Sequence, residues 1–273
     1  MIGDPQQFPF WSGRTYTPEP ATAAESHAMH RRLGIERIVI VQPSFYGTDN
    51  SATIDGLRKL GRSSRAIVVI DERTPEAQVD EMHREGARGI RLNFSTFGQT
   101  DPAITRRRFQ VAVARMTNRK GWHIQLFTNL AVIAALEPEI VIAPMPVVID
   151  HFGYALASKG VNQPGFDALL RLVRKGKAYV KVSSPYRVSS LPDYSDVAPL
   201  ARALIGANPQ RILWGTDWPH PVGAPLPGHS ATDPIPNLPI DNGRLLNLLA
   251  VWAPEGALRK IILVDNPSEL FDY

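Results

Sequence analysis

The aspartate that ends an apolar run is the residue of this sequence best suited to acid–base chemistry. Residues 211–214 (RILW) are typical of a buried strand, and residues 215–217 (GTD) end it just before a proline-rich segment. Residues 148–151 (VIDH) end in the same way, at a histidine. A carboxylate beside an imidazole can accept a proton from water and return it to a leaving oxygen. Asp217 and His151 are therefore the candidate catalytic residues.

Both side chains also have a structural interpretation. Asp217 can cap the turn after its strand or form an ion pair, and His151 can be a core histidine bonded to a backbone carbonyl. Asp150 alternates with His151 along the strand, points to the other side, and is not expected to take part. Ser183 and Ser184 lack the Gly-x-Ser-x-Gly surroundings of a hydrolase nucleophile, so we do not assign them that role.

Arg91 and Arg187 are the candidates for holding an acidic substrate. The planar guanidinium matches a carboxylate with two parallel hydrogen bonds, which a lysine does not do. Arg91 has apolar neighbours near a strand end, and a buried charge without a counter-charge costs several kcal/mol. It therefore needs an anion, either from the substrate or from an internal ion pair. Asn93 on the same strand and His220 after the proposed base are further candidates for substrate contact, with loop packing as the alternative for His220.

The elements that must position these residues alternate along the chain. Short Val- and Ile-rich runs predict parallel strands, and the longer amphipathic segments between them predict helices. One such helix spans residues 75–84, with Thr74 as N-cap, Pro75 at its first position and Gly86 at its stop. Others span residues 20–32 and 101–120. The predicted strands are residues 37–43, 65–71, 89–94, 122–127, 146–151, 178–183 and 211–217.

Polar residues at the carboxyl ends of these strands favour a (β/α)8 TIM-type barrel, where such ends meet on one face. An open, doubly wound parallel sheet also fits the alternation. The pattern yields seven strands where such a barrel has eight, because the first 18 residues contain no readable strand. Open strand edges are normally avoided, so either the native chain begins upstream of Met1 or the N-terminal segment fills the gap. We predict a single domain over residues 1–273.

Composition narrows the class of protein. A hydrophobic fraction of 44% with 21% charged residues is ordinary for a globular protein, and the net charge of +4 is spread along the chain. The basic run at residues 106–108 falls in a predicted helix, as expected for a solvated face rather than a nucleic-acid site. The chain has no cysteine, which excludes thiolate chemistry. With no signal peptide or membrane-length apolar segment in the sequence, we expect a cytoplasmic protein that binds neither nucleic acid nor membrane.

Several motifs, in the expected order, make the chain resemble the amidohydrolase superfamily, with the strongest likeness to the branch of 2-pyrone-4,6-dicarboxylate hydrolase. They are residues 14–18 (RTYTP), 88–94 (RGIRLNF), 121–123 (GWH), 148–153 (VIDHFG), 181–185 (KVSSP), 214–220 (WGTDWPH) and 264–271 (VDNPSELF). The resemblance implies a (β/α)8 barrel in which Asp217 is the general base. It places His151 in the active site, as a metal ligand or as a hydrogen-bond donor to the substrate carbonyl. It also implies that Tyr16 contacts substrate, with packing as the alternative.

Three positions depart from that branch. Phe97 and Tyr154 stand where the dicarboxylate lactonase has arginines, and Phe127 stands where it has a tyrosine. These replacements predict a pocket that is less cationic and more aromatic. We therefore expect a substrate with one carboxylate, or a less polar lactone, to fit better than a dicarboxylate.

The largest departure concerns metal binding. The His-x-His pair that the superfamily carries at the end of strand one has no counterpart here, and His27 and His30 fall in a predicted surface helix. The fourth strand also offers no lysine to bridge two metals. We expect no metal site and no cofactor. A single divalent ion such as Zn is left open, although His151 and Asp217 alone are fewer ligands than a typical zinc site uses.

These observations predict a hydrolase of carboxylic ester bonds that opens the lactone of an organic acid in the breakdown of aromatic compounds. Asp217 would activate water, His151 would polarise the carbonyl, and Arg91 and Arg187 would hold the carboxylate. Lactone isomerisation and metal-dependent decarboxylation are the alternative reactions. A catalytically incomplete barrel that only binds a ligand is the non-enzymatic alternative.

Overall fold

The computed structural model of the protein describes residues 1–224 and 227–273. The chain forms two compact units. Unit 1 contains Met1–Arg91 and Trp218–Asn242, and unit 2 contains Leu92–Asp217 and Gly243–Tyr273. The single domain over residues 1–273 stays a prediction.

Short parallel strands alternate with helices, as predicted. The strands are β1 (Thr17–Pro18), β2 (Ile38–Val41), β3 (Ser64–Val68), β4 (Ala87–Asn93), β5 (His123–Phe127), β6 (Val147–Ile149), β7 (Ala178–Lys181), β8 (Ile212–Leu213) and β9 (Pro234–Ile235). Among the described residues, β2 to β8 form one sheet of seven strands in chain order. Each of the seven predicted strands is confirmed. Most end earlier than predicted, because the residues that follow them lie outside the regular strand pairing.

The two remaining strands form a separate small sheet in unit 1. β1 pairs in parallel with β9, and a single bridge joins Ile2 to Ala21. The expectation that the first 18 residues contain no readable strand agrees with β1, whose two residues are too few to give an alternation. The amide of Gly3 donates to the hydroxyl of Tyr46, 3.0 Å away. The N-terminal segment therefore packs on the residues after β2, in a cluster formed by Ile2, Phe8, Tyr16, Ala21, Phe45, Tyr46, Ala52 and Ile235.

The helices are α1 (Ala23–Leu33), α2 (Ser51–Leu60), α3 (Glu76–Glu85), α4 (Pro102–Met116), α5 (Leu130–Ile142), α6 (Phe166–Arg174), α7 (Ala198–Ala207), α8 (Asn242–Trp252), α9 (Gly256–Lys260) and α10 (Asn266–Phe271). The predicted stop of α3 is confirmed, since Gly86 ends it with a φ of 115°. The predicted cap is wrong. Pro75 takes the N-cap position, because the hydroxyl of Thr74 donates instead to Asp71. Of the helices that the structure describes, none has the length and apolar character needed to cross a bilayer.

The strands of unit 2 are covered on both faces. All residues of β5 and β6 are buried, and so are the first three residues of β7. Parallel strands covered by helices have this character, which explains why they appear in the sequence as nearly continuous apolar runs. His123, at the start of β5, is fully buried beside the ring of Phe271.

Candidate active site

His151 lies in the turn that follows β6. The backbone has a positive φ at His151 (48°) and at each of the next three residues, through Tyr154 (55°). This conformation is uncommon for residues with a side chain and is concentrated at functional sites. Glycine is favoured at position 153, because φ is 63° there and a Cβ would lie 2.8 Å from Cδ1 of Ile133. The turn directs the imidazole out of the strand and toward the segment that follows β7.

Two hydroxyl groups hold the imidazole of His151. Its Nδ1 lies 2.9 Å from Oγ of Ser183 and 3.0 Å from Oγ of Ser184. The ring of Phe127 packs edge-on against it, with the ring centres 5.5 Å apart, and also contacts Tyr154. Burial lowers the pKa of His151 to about 4, because a charged ring would lose its hydration there. His151 is therefore neutral at physiological pH.

Asp217 lies after β8, also in a left-handed conformation, with a φ of 61°. Its Oδ2 accepts a hydrogen bond of 2.7 Å from the hydroxyl of Tyr186 and one of 2.8 Å from Nε of Arg187. Its Oδ1 faces Nε2 of His151 at 3.7 Å, which is too long for a direct hydrogen bond. The site thus contains a histidine and a carboxylate whose facing atoms are separated by a short gap.

Charge strongly favours the ionised form of Asp217. Burial alone would raise its pKa, but the positive charge of Arg187, the neighbouring His151 and the hydrogen bond from Tyr186 outweigh burial and hold the pKa well below its usual range. The side chain of Arg187 is 12% exposed, and Asp217 raises the arginine's pKa well above its usual value. Asp217 is therefore a carboxylate at every pH at which the protein is expected to work.

The structure brings three of the seven predicted site residues together, namely His151, Arg187 and Asp217. Asn93 lies at the end of β4 in unit 2, where its amide exchanges hydrogen bonds with Thr96. Arg187 forms an ion pair with Asp217, and a contact of Arg187 with substrate stays a prediction.

The other three predicted residues belong to unit 1. The guanidinium of Arg91 donates to the backbone carbonyl of Gln42 at 3.4 Å. Tyr16 is buried in the N-terminal cluster, with its ring edge-on to Phe45. Nε2 of His220 lies 3.1 Å from Oδ1 of Asn242. Their substrate contacts stay predictions.

Sequence reasoning missed the segment after β7. Ser183, Ser184 and Tyr186 contact the two candidate catalytic side chains, yet the serines lack the motif of a nucleophile and no motif marks the tyrosine. Their position directly after a strand, beside Arg187, was the available signal, because the ends of parallel strands meet at one edge of the sheet.

Unit 2 contains a second ion pair with little exposure, between Lys181 and Asp150. Nζ of Lys181 lies 3.0 Å from Oδ1 of Asp150, and the amide of Gln125 donates to both carboxylate oxygens. The carboxylate of Asp150 thus has a structural partner of opposite charge. The expectation that Asp150 takes no part in the chemistry agrees with this pairing.

The residues around His151 and Asp217 do not fit a metal ion. Nδ1 of His151 lies against two hydroxyls, and Oδ2 of Asp217 is bonded to a cationic arginine, so one nitrogen and one oxygen face the gap. A typical zinc site needs at least three protein ligands. In the part of the chain that the structure describes, no group of three or more His, Cys, Asp or Glu side chains is placed to hold a metal.

Comparisons with known proteins agree over nearly the whole chain. Residues 2–273 match the family model described as Amidohydrolase. The 4-sulfomuconolactone hydrolase of Hydrogenophaga intermedia is 36% identical, covering 99% of this chain and 86% of that protein. The 2-pyrone-4,6-dicarboxylate hydrolase of Comamonas testosteroni is 31% identical, covering 99% of this chain and 87% of that protein. A crystal structure from Pseudomonas putida superposes with a TM-score of 0.80 at 31% identity, over 96% of this chain and 91% of that one. The predicted TIM-type α/β fold is confirmed.

Proposed function

Because the chain belongs to the amidohydrolase family, we propose that it is a lactone hydrolase, which opens the cyclic ester of an organic acid by attack of water. Both hydrolases named above act on cyclic esters, a muconolactone and a pyrone. The observation that carries the proposal is the pair of His151 and Asp217, whose facing atoms Nε2 and Oδ1 lie 3.7 Å apart. A neutral hydrogen-bond donor can polarise the ester carbonyl, and an ionised carboxylate beside it can take a proton from the attacking water.

Asp217 acts as the general base through Oδ1. Since Oδ2 already accepts hydrogen bonds from Tyr186 and Arg187, Oδ1 is the oxygen that takes a proton from the attacking water. The water oxygen forms a bond to the carbonyl carbon, and the ring C–O bond of the resulting tetrahedral intermediate then breaks. The proton on Oδ1 passes to the departing ring oxygen, which restores the carboxylate and leaves the ring-opened acid.

His151 polarises the carbonyl as a neutral donor. Nδ1 lies within hydrogen-bond distance of the hydroxyls of Ser183 and Ser184, and one of them can donate to the lone pair of Nδ1 when the ring proton resides on Nε2. The nearby negative charge on Asp217 favours the same tautomer, because it attracts the N–H dipole. The Nε2–H group can therefore donate to the carbonyl oxygen, where negative charge develops during attack.

Arg91 and Arg187 are the proposed sites for the acid group of the substrate, with Tyr16, Asn93 and His220 as further contacts. At Arg187, a substrate carboxylate would compete with Asp217 for the guanidinium. The aromatic side chains Phe127 and Tyr154 beside His151 favour a substrate with one acid group over a dicarboxylate. Rapid hydrolysis of 2-pyrone-4,6-dicarboxylate would contradict that preference.

The proposal is tested by incubating the purified protein with 4-sulfomuconolactone, 2-pyrone-4,6-dicarboxylate and uncharged lactones, and by identifying the products. Hydrolysis gives a ring-opened acid, whereas an isomerase returns a lactone of equal mass. Asp217→Asn is expected to lower kcat about 10²- to 10⁴-fold. Asp265→Asn, which removes an exposed carboxylate paired with Lys260, is the matched control and should retain activity. Turnover by Asp217→Asn within twofold of the parent protein would contradict the assigned base.

A further inference from the structure

The two oxygens of the Asp217 carboxylate lie in different surroundings. Oδ2 accepts two hydrogen bonds, from the hydroxyl of Tyr186 at 2.7 Å and from Nε of Arg187 at 2.8 Å. Oδ1 faces His151 across the gap of 3.7 Å. An aspartate carboxylate turns readily about its last torsion, which is broad and roughly two-fold. A half-turn only exchanges two equivalent oxygens, so the feature that must be held is the orientation of the carboxylate plane, which decides whether an oxygen faces the gap.

The backbone holds Tyr186 firmly in front of Oδ2. Ser184 turns the chain with a φ of 55°, and Pro185–Arg187 then form a single 3-10 turn. The amide of Arg187 donates to the carbonyl of Ser184 at 2.9 Å, which closes this turn. The guanidinium of Arg187 lies over the ring of Tyr186, 5.2 Å from its centre. The phenol is thus fixed by its backbone and by its neighbour before its hydroxyl reaches the carboxylate.

We propose that Tyr186 is a positioning residue for the reaction, whose hydroxyl holds Oδ2 of Asp217 so that Oδ1 stays directed toward the gap beside His151. This inference rests on the proposed function, in which Oδ1 takes the proton from water. Arg187 alone does not fix this orientation, because guanidinium and carboxylate can also form two parallel hydrogen bonds. Without the tyrosine hydroxyl, the carboxylate can turn until both oxygens face Arg187. Oδ1 is then withdrawn from the water.

A purely electronic role for Tyr186 would have the opposite effect on rate. The hydrogen bond from its hydroxyl contributes to the low pKa of Asp217, so its removal makes the carboxylate a stronger base. A stronger base in an unchanged position would speed proton removal. The side chain of Tyr186 also hydrogen-bonds with that of Ser184, which contacts His151. A slower reaction after loss of the hydroxyl therefore indicates positioning of Asp217 when Ser184→Ala does not show the same loss.

The chain offers a closely matched control. Tyr179 on β7 is also buried, its hydroxyl accepts from Arg211 at 3.2 Å, and the guanidinium of Arg211 lies 4.8 Å from its ring centre. Tyr179→Phe and Tyr186→Phe thus each remove one hydroxyl from a tyrosine that contacts an arginine. Only the second removes a donor to Asp217.

In steady-state assays with the lactone that the parent protein turns over fastest, Tyr186→Phe is expected to lower kcat about tenfold or more, because a hydrogen bond to a charged group is lost. KM should change less than about twofold, since the hydroxyl binds Asp217 and not the substrate. Tyr179→Phe should leave both constants near those of the parent. An unchanged or higher kcat in Tyr186→Phe, or an equal loss in Tyr179→Phe, would overturn the inference.

A second measurement does not depend on turnover. With aspartate labelled by ¹³C at Cγ, the Asp217 signal is identified by its absence in Asp217→Asn. This signal should shift in Tyr186→Phe at pH 7 and stay in place in Tyr179→Phe. If no lactone is hydrolysed, the proposed function fails, while the ¹³C shift still shows whether Tyr186 holds the carboxylate. An unshifted signal in Tyr186→Phe overturns the inference in either case.

Discussion

Replacing Arg187 with methionine tests the electrostatic structure of the site most directly. The substitution keeps an unbranched side chain and removes the positive charge 2.8 Å from Oδ2 of Asp217. Burial, which raises the pKa of Asp217, is then no longer opposed by that charge. The acidic limb of the pH–rate profile should therefore move to higher pH, because the base is protonated more easily.

The expected loss of stability follows from the burial of the pair. Removing one partner of a buried ion pair costs about 3–5 kcal/mol, because the other charge stays desolvated. The side chain of Asp217 is 22% exposed, so we expect a smaller loss of about 2–4 kcal/mol. In the parent protein the depressed pKa of Asp217 contributes stability at neutral pH, and this is lost only as pH falls through that low value. In Arg187→Met the carboxylate can become neutral in mild acid, so the difference between the two proteins should be largest at neutral pH and narrow at pH 5.

The assays are urea unfolding at pH 5 and pH 8, and kinetics with an acidic and an uncharged lactone. If Arg187 also holds the substrate carboxylate, KM should rise about 10- to 100-fold for the acidic lactone alone, as expected when a charged hydrogen bond is lost. Arg171→Met, which breaks exposed ion pairs with Glu137 and Asp167, is the control and should change little. The same pH–rate profile and the same unfolding curves for Arg187→Met and the parent would refute this reasoning.

Two further predictions concern His151. Its pKa of about 4 lies below the ordinary 6.5, so the unfolded chain binds the extra proton first as pH falls. The free energy of unfolding should therefore decrease by about 3 kcal/mol between pH 6.5 and pH 4 on account of this residue. In His151→Gln the free energy of unfolding should depend less on pH in this range. If urea unfolding shows the same pH dependence as in the parent protein, His151 is not a buried neutral ring. Ser183→Ala and Ser184→Ala should each lower kcat less than twofold, because the second hydroxyl still contacts Nδ1. The double variant should lose about tenfold, and an equally active double variant would show that the hydroxyls do not orient the ring.

The strands could be predicted because their burial appears directly in the sequence. A parallel strand covered on both faces, such as β6, is a run of Val and Ile, and the residue after it is where the polar side chains begin. Helix ends were harder to predict from the sequence. Thr74 and Pro75 satisfy the rules for a cap and a first helical residue, yet the threonine hydroxyl bonds to Asp71 and the helix starts one residue later. Which of two competing local hydrogen bonds forms depends on the backbone conformation, and the pattern of residue types does not specify that conformation.

The candidate site also contains residues that could be predicted from the sequence and residues that could not. His151 and Asp217 could be predicted because each ends a strand, a position that the sequence marks. Tyr186 could not, because its contact with Asp217 depends on the turn at Ser184 and on the following 3-10 turn. Likewise, a guanidinium is suited equally to a substrate carboxylate and to an internal one, and only the structure shows that Arg187 pairs with Asp217.

His151, Ser184 and Asp217 share a backbone conformation as well as a site. All three have a positive φ, of 48°, 55° and 61°. This conformation costs a residue with a side chain about 1–3 kcal/mol, and glycine would adopt it without that cost. The hydroxyl of Ser184 contacts His151 at 3.0 Å, and His151 faces Asp217 at 3.7 Å. At each of these turns, folding stability alone favours glycine, while the contacts between the three residues require side chains. Under the proposed function, the side chains at these three turns are explained by the chemistry of the site.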